Sequence, residues 1–313
     1  MGLTGLLSIL ITLWVPATGR TTPLSHTPSD FSNDNASSGI PVLMYHHVSD
    51  PVNGYYGIST HRLRRDLELL DEAGFYLITP EDIENCLFQV PDDRIPLMLT
   101  FDDGWQDNFN FIDYGGDTEI DPSCAVSILE EYCRQNPDFG HGAVFFISWD
   151  KVPFGQEEYV QEKFNMLLDM GYVIGNHTDR HADFMRLPRS KWSDAVLLPM
   201  RKFHSRVGLR TGSISTLSYP GGRLPKDAGA EDVISGFHFM GRQAVRMGFL
   251  ANGSVSSFQR LLDSSEGIYR IGRLDMSQYS VDKLLGWRNI MTDGSRRDLH
   301  DPLRYRMPYY LSE

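Results

Sequence analysis

Short apolar runs alternate with longer amphipathic segments from Ile40 onward, and this pattern predicts an α/β domain rather than a β-sandwich. Apolar residues recur at helical spacing over residues 60–74, and a second helix is predicted over 122–136. Strands that are separated by helices in this way suit a barrel. The apolar runs predict strands over residues 40–46, 76–79, 95–101, 142–148, 172–176 and 215–220.

The N-terminal segment, residues 1–19, has the character of an export signal. It carries no charged side chain and contains the apolar run LLSILITLWV, which is shorter than the roughly 20 residues of a membrane span. Ala17 and Gly19 follow Pro16 with the spacing of a cleavage site, although no basic residue precedes the apolar run. We therefore predict an exported protein, secreted or associated with the cell envelope, with an uncleaved membrane anchor as the alternative.

Composition divides the rest of the chain into three parts. Residues 20–39 are rich in Ser, Thr, Pro, Asn and Asp, which predicts a flexible polar tether. The folded domain is predicted over 40–285, and residues 286–313 form a C-terminal extension. Cys124 and Cys133 are nine residues apart on a predicted helix, about 13 Å, which is too far for a disulfide.

The net charge of the chain excludes some classes of binding partner. The 313 residues have a formal net charge of −12, whereas a protein that binds nucleic acid irrespective of sequence needs a basic face. We therefore expect no nucleic-acid partner. An acidic surface does not repel neutral sugars, so a glycan partner is compatible with this charge.

Two adjacent carboxylates end the predicted strand 95–101. Asp102 and Asp103 are followed by Gly104, and the carboxyl ends of barrel strands are where such folds hold their chemistry. Adjacent acids repel each other unless a positive charge neutralises one of them, so a bound cation is a natural partner. An ordinary Asp-Asp-Gly turn is the alternative.

A pair of histidines follows the predicted strand 172–176. His177 and His181 are four residues apart, and on a helical turn both imidazoles could reach one metal ion. The zinc-protease pattern His-Glu-x-x-His is absent, because Thr178 stands where its Glu base would be. The Asp pair could supply both the third ligand and the base. A chance pair of histidines on a solvated turn is the alternative.

These motifs together resemble those of the polysaccharide deacetylases, carbohydrate esterase family four, which contain a NodB homology domain. The resemblance runs from about Pro41 to Leu274 and is carried by TFDDG and HTDRH, with GAVFFI and MGYVIGNHT between them. It implies a distorted (β/α) barrel with fewer than eight strand-helix units. It also implies the site: Asp102 as general base, and Asp103, His177 and His181 as metal ligands.

The segment LSYPGGR, residues 217–223, resembles the substrate-groove loop of this family in its Tyr-Pro-x-Gly form. By this resemblance Tyr219, Pro220 and Gly221 contact the substrate, and the Gly221 N–H could point at a developing oxyanion. The commoner form of the loop has an arginine near the position of Ser218 and a second aromatic at that of Gly221. The motif therefore does not identify the partner of the catalytic Asp. An ordinary Pro-Gly-Gly turn is the alternative.

Adjacent histidines end the first predicted strand, and amide hydrolysis needs an acid that protonates the departing amine. Many relatives carry this acid in a C-terminal Leu-x-His motif, but residues 268–278 contain no histidine. Relatives with circularly permuted motifs carry it in an N-terminal Tyr-His pair, which Tyr45-His46 matches. Since strand neighbours face opposite sides, His46 is predicted to face the metal and His47 the helix layer. A structural histidine at a strand end is the alternative.

The resemblance implies metal-dependent hydrolysis of N-acetyl groups from an acetylated amino-sugar polymer or oligomer. Zn²⁺ is the expected ion, with Co²⁺ or Ni²⁺ as alternatives. An O-acetyl esterase acting on xylan would use the same residues, and a purely carbohydrate-binding relative would lack the ligand triad. A magnesium phosphohydrolase would need several oxygen ligands, so the histidine pair argues against it.

Overall fold

The computed structural model describes residues 39–292, except 86, 88, 227–228, 258–259 and 262–264. The predicted signal or anchor over 1–19 lies outside the described residues, as does the predicted tether except for Gly39. Among the helices of the described part, none is both long and apolar enough to cross a membrane.

Strands and helices alternate along most of the described chain. The strands are β1 (Gly39–Ile40), β2 (Val42–Tyr45), β3 (Phe75–Leu77), β4 (Ile95–Phe101), β5 (Phe111–Tyr114), β6 (Asp117–Ile120), β7 (Val144–Ile147), β8 (Val173–Asn176), β9 (Thr216–Ser218), β10 (His238–Phe239), β11 (Arg242–Gln243), β12 (Met247–Phe249), β13 (Ser256–Ser257) and β14 (Leu274–Asp275). The α-helices are α1 (Thr60–Glu72), α2 (Pro80–Glu84), α3 (Ala125–Gln135), α4 (Val160–Asp169), α5 (Trp192–Val207), α6 (Ala230–Ser235), α7 (Ser265–Ile268) and α8 (Val281–Thr292).

A sheet of parallel strands forms the centre of the domain. Its strand order is β12-β9-β8-β7-β4-β2-β14, and β3 pairs in parallel with the first half of β4. Parallel neighbours need crossover connections, which the helices between the strands supply. The carboxyl ends of all these strands therefore meet at one end of the sheet.

The segment from Ile271 to Asp275 closes this sheet into a barrel. Ile271 pairs with Phe249 of β12, and its N–H donates to the carbonyl of Gly248 at 2.9 Å. Three residues later β14 begins, and it pairs in parallel with β2. One short stretch thus contacts both edge strands, and the predicted distorted barrel with fewer than eight units is confirmed.

Alternation along the strands separates two hydrophobic layers. In β4, Met98 packs in the barrel interior, whereas Leu97, Leu99 and Phe101 face the helices. The same periodicity carries Thr100 and then Asp102 to the inner side at the carboxyl end. The interior is therefore apolar at its lower levels and polar at its mouth. Its buried apolar residues are Ile40, Val42, Ile78, Ile83, Met98, Val144, Phe146, Met247, Phe249, Leu261 and Ile271.

The predicted elements all occur, with bounds that differ by three residues or fewer. Helix α1 begins where the Ser59 side chain accepts the N–H of Arg62, and it buries the apolar residues that recur at helical spacing, Leu63, Leu67 and Leu70. Pro41 divides the first predicted strand, because it offers no N–H to a ladder. Among the described residues, Cys124 and Cys133 form no disulfide with each other. Helix α8 runs across the predicted boundary at 285/286.

Candidate active site

The polar mouth of the barrel collects side chains from the ends of several strands. Asp102 follows β4, His177 follows β8 and Ser218 ends β9, while Arg273 lies beside β14. Each is at most 2% exposed. Because each continues the inward-facing positions of its strand, parallel pairing brings them to one place.

Three predicted metal ligands lie together at this mouth. The Oδ1 atom of Asp103 is 3.5 Å from Nε2 of His177 and 3.5 Å from Nε2 of His181. One ligand atom from each of the three residues lies within 4.8 Å of the others. A single cation could therefore contact all three side chains.

The backbone that carries these ligands is left-handed at several positions. Asp103 has φ of 75°, and φ is 67° at Thr178 and 52° at His181. Such values are uncommon outside glycine, and they concentrate at functional sites. The prediction that His177 and His181 meet on a regular helical turn is therefore wrong. They converge because the chain turns tightly after β8, where the Thr178 N–H donates to Oδ1 of Asn176 at 2.8 Å.

The donor atoms of this cluster fit a divalent metal ion. Oδ1 of Asp103 is buried and has no hydrogen-bond partner among the described residues, while its Oδ2 accepts the indole N–H of Trp105 at 3.1 Å. Nδ1 of His177 lies 2.9 Å from the carbonyl oxygen of Ser218. A carbonyl can only accept, so Nδ1 carries the proton and Nε2 is left with its lone pair toward Asp103. Two imidazoles and one carboxylate are a donor set typical of zinc.

Asp102 is fixed by a residue that the sequence motifs did not identify. Arg273 donates from Nη1 to Oδ1 of Asp102 at 2.7 Å and from Nη2 to Oδ2 at 2.8 Å. Its other N–H groups bind Thr100 Oγ1, Ser218 Oγ and the carbonyl of Leu250. All five donors of the guanidinium are thus satisfied in a buried site.

This bidentate pair determines the charge of Asp102. Burial raises the pKa of the carboxyl group, but the charge and hydrogen bonds of Arg273, together with His177, lower it more, and it stays well below its ordinary value. Asp102 is therefore an anion at neutral pH. Ser218, which stands near the position of the family's arginine, also donates to Oδ2 of Asp102 at 3.2 Å.

The adjacent histidines point in different directions. His46 continues the inward side of β2, and the carboxylates of Asp102, Asp103 and Asp275 act on it electrostatically. Burial is the larger effect and lowers the pKa of its imidazole. Its Nδ1 is buried, and no atom in the described part of the chain forms a hydrogen bond with it.

His47 lies away from this mouth. Its Nδ1 is 2.6 Å from Oδ2 of Asp107, and its ring stacks on Trp105 with centroids 4.0 Å apart. Since Trp105 also donates to Asp103, His47 supports a ligand of the candidate metal site without facing it.

The predicted groove residues Tyr219, Pro220 and Gly221 differ in exposure. The Tyr219 ring is fully buried in the outer layer, and its hydroxyl donates to the carbonyl of Tyr269 at 3.0 Å. Strand alternation explains this, because Tyr219 follows inward-facing Ser218 and must point outward. Tyr219 is thus a packing residue of the outer layer in the structure, which corrects the prediction that it contacts substrate. Pro220 is buried, whereas Gly221 is exposed with φ of 68°.

Solved structures with a similar fold include proteins named as deacetylases. The Streptococcus pyogenes deacetylase PplD, in complex with acetate, matches with a TM-score of 0.58 and 16% identity over 80% of this chain and 97% of its own. IcaB from Ammonifex degensii matches with a TM-score of 0.52 and 18% identity over 81% and 95%. A de-N-acetylase from Aggregatibacter actinomycetemcomitans matches with a TM-score of 0.53 and 15% identity over 80% and 100%.

No family model matches the sequence, and no curated protein matches it. At identities of 15 to 18%, the structural likeness concerns the fold. The chain has the barrel fold of these solved structures, as the sequence motifs predicted.

Proposed function

We propose that this protein hydrolyses N-acetyl groups of an acetylated amino-sugar polymer or oligomer and releases acetate. The observation that carries the proposal is the cluster of Asp103, His177 and His181 beside an ionised Asp102 at the mouth of the barrel. The fold is shared with deacetylases, one of which is in complex with acetate. A metal-ligating triad next to an anionic base is the arrangement that metal-assisted hydrolysis requires.

Asp103, His177 and His181 would hold a divalent ion, zinc in the first instance and cobalt or nickel as alternatives. When bound, such an ion supplies Lewis-acid polarisation of the acetyl carbonyl and of water. The protein supplies the orientation of the ligands. Trp105 fixes the Asp103 carboxylate and the Ser218 carbonyl fixes the His177 ring, each through one hydrogen bond.

Proton transfers are assigned to the side chains around this triad. Asp102, held as an anion by Arg273, accepts the proton of the attacking water. His46, in its protonated form, gives a proton to the nitrogen of the departing amine, so that the C–N bond breaks to a neutral amine and acetic acid. The acid then ionises to acetate, and Asp102 returns the proton of the attacking water to solvent. The N–H of Gly221 is proposed as a donor to the oxyanion.

The proposed setting is outside the cell, at a glycan of the cell envelope or in a secreted form. The support for this setting is the uncharged apolar segment 1–19, which is typical of an export signal. The net charge of −12 concerns the partner: it does not favour a polyanion such as nucleic acid.

The direct test compares metal content and acetate release in the full chain. Asp103→Asn removes one ligand charge, and Asp117→Asn, on the exposed hairpin β5–β6, is the matched control. We expect the first variant to lose bound zinc and to release acetate at background rates from chitin oligomers, while the control behaves as wild type. Undiminished acetate release after exhaustive chelation would overturn the mechanism. Faster release from acetylated xylan than from chitin oligomers would select the O-acetyl esterase instead.

A further inference from the structure

Two exposed tyrosines lie beside His46. Tyr55 is 72% exposed and Tyr56 is 46% exposed. The Tyr56 ring stacks on the His46 imidazole with centroids 4.9 Å apart and an angle of 26° between the planes. Tyr55 meets Tyr56 edge to face at 5.1 Å. The exposed aromatic surface is therefore continuous with the side chain that we assign as the acid.

The loop that presents these tyrosines has a closed base. The Ser49 N–H donates to the carbonyl of Ile58 at 3.1 Å, and the Ile58 N–H donates to the carbonyl of His47 at 3.0 Å. At Gly57 a Cβ atom would lie 2.1 Å from the carbonyl oxygen of Asn53, so the tight path of this loop needs glycine there. The loop follows β2 directly, which places it at the mouth of the barrel.

We propose that Tyr55 and Tyr56 form a stacking platform for the sugar ring next to the one that is deacetylated. This inference rests on the proposed function and deepens it, because it assigns an oligomeric amino-sugar chain as the substrate. One face of a pyranose ring consists of C–H groups, and aromatic faces bury such surface favourably. A sugar ring linked to the reacting sugar lies within one sugar length of the leaving amine. Because Tyr56 stacks on His46, the proposed acid for that amine, the platform lies at a matching distance.

Charge favours the same occupant. A partly deacetylated chain carries ammonium groups, which an acidic protein of net charge −12 attracts. Cations also bind the faces of tyrosine rings. A neutral or cationic glycan therefore suits this platform better than an acidic one.

The test measures binding of chitopentaose, the pentamer of N-acetylglucosamine, to the chelated full chain by calorimetry. Tyr55 is the residue to change, because it contacts Tyr56 and not His46. Tyr55→Ala should weaken pentamer binding about tenfold, and Tyr55→Trp should restore it. Tyr114→Ala is the matched control, since Tyr114 is 70% exposed at the tip of the hairpin β5–β6, and it should bind the pentamer as wild type does.

Three results would overturn the platform. These are wild-type affinity in Tyr55→Ala, an equal loss in both alanine variants, and no pentamer binding by the wild-type chain at millimolar concentration. A wild-type dimer that Tyr55→Ala dissociates, seen by sedimentation, would instead make the patch an interface between copies and would also overturn the proposal.

Measurements of activity distinguish a failure of the platform from a failure of the proposed function. With zinc present, Tyr55→Ala should lower kcat/KM for the pentamer about tenfold more than for monomeric N-acetylglucosamine. Absence of acetate release together with tight, Tyr55-dependent pentamer binding would reject deacetylation and keep the platform. Acetate release with the same length preference in wild type and variant would reject the platform and keep deacetylation.

Discussion

Asp102 and Asp103 are neighbours in the chain, yet both carboxylates reach the same site. In a regular strand they would face opposite sides. The left-handed backbone at Asp103, with φ of 75°, breaks this alternation. Gly104 continues the turn with φ of 67°, where any larger residue would also meet the Ile147 side chain. The site therefore depends on local backbone strain that the barrel holds in place.

Asp102 and Arg273 should behave as one unit in stability measurements. Asp102→Asn leaves the buried guanidinium without a counter-charge and should lower the free energy of unfolding by about 3 kcal/mol or more. Arg273→Met should cost a similar amount, because it leaves the carboxylate unpaired. The double variant should be less destabilised than the sum of the two singles, as chemical denaturation of all four proteins would show. Strict additivity would mean that the pair is not coupled.

Acid should weaken the wild-type fold through the same carboxyl group. Its pKa is depressed in the native state relative to an unfolded value of about 3.9. The stability this contributes is present above the unfolded pKa and is lost as pH falls through the folded pKa. Wild type should therefore lose more unfolding free energy than Asp102→Asn between about pH 5 and pH 3. Parallel pH curves for the two proteins would contradict the assignment.

His46 and His47 should give opposite results when each is replaced by alanine. His46→Ala should slow amide hydrolysis by about 10²-fold or more, the usual scale for losing a general acid. Its loss should be smaller on an aryl acetate, whose leaving group needs no proton. His47→Ala removes the partner of Asp107 and the ring on Trp105, so a lower melting temperature should be its main effect. The reverse ranking would place the acid on the other histidine.

At the scale of elements, apolar runs predicted the central strands because those strands are buried on both faces. Strands β12 and β14 were not predicted, because they have only three and two residues. Around β14, apolar residues also alternate with the polar residues that line the mouth, so no apolar run marks this strand. Arg273 was missed for the same reason. The family motif places the arginine near Ser218, whereas here the guanidinium reaches Asp102 from the segment that closes the barrel. Only the folded topology brings these positions together.

Strand β8 should tolerate no side chain at Gly175. A Cβ atom there would lie 2.3 Å from the Phe146 ring and 2.9 Å from Oγ1 of Thr216. Gly175→Ala should therefore lower the free energy of unfolding by about 1 to 3 kcal/mol, the usual cost of overpacking. Since β8 leads into His177, zinc affinity should fall as well, which titration of the variant with zinc would measure.

Gly286 offers a matched control for this substitution. It is exposed in helix α8, and a Cβ atom there would meet none of the described residues within 4 Å. Gly286→Ala should raise stability by about 0.5 to 1 kcal/mol, as alanine does in a helix interior. Equal thermal unfolding of the two variants would contradict the packing argument for β8.

For the whole molecule, the sequence motifs predicted the barrel and the three candidate ligands, because strand ends and motif residues coincide. The outward position of Tyr219 follows from strand alternation, which the groove motif alone does not contain. The Tyr55–Tyr56 pair had no motif to mark it. Its place beside His46 depends on the closed loop after β2.

Metal removal should lower stability without unfolding the barrel. The apolar interior lies at levels below the candidate ligands and does not depend on them. Oδ1 of Asp103, in contrast, is buried without a hydrogen-bond partner in the part of the chain that the structure describes. An ion that binds only the native state adds about 2.7 kcal/mol at 100 times its Kd. For a domain of this size that amounts to a rise in Tm of roughly 5 to 10 °C.

Thermal unfolding of the full chain, chelated and then reloaded with zinc, measures this rise. Wild type and Asp117→Asn should show it, and Asp103→Asn should unfold at one temperature with or without zinc, because it lacks the ligand. The far-UV circular dichroism of all chelated proteins should match that of the loaded wild type. A zinc-dependent rise that survives in Asp103→Asn would place the ion elsewhere, and loss of the secondary structure on chelation would make the metal part of the fold rather than of the reaction.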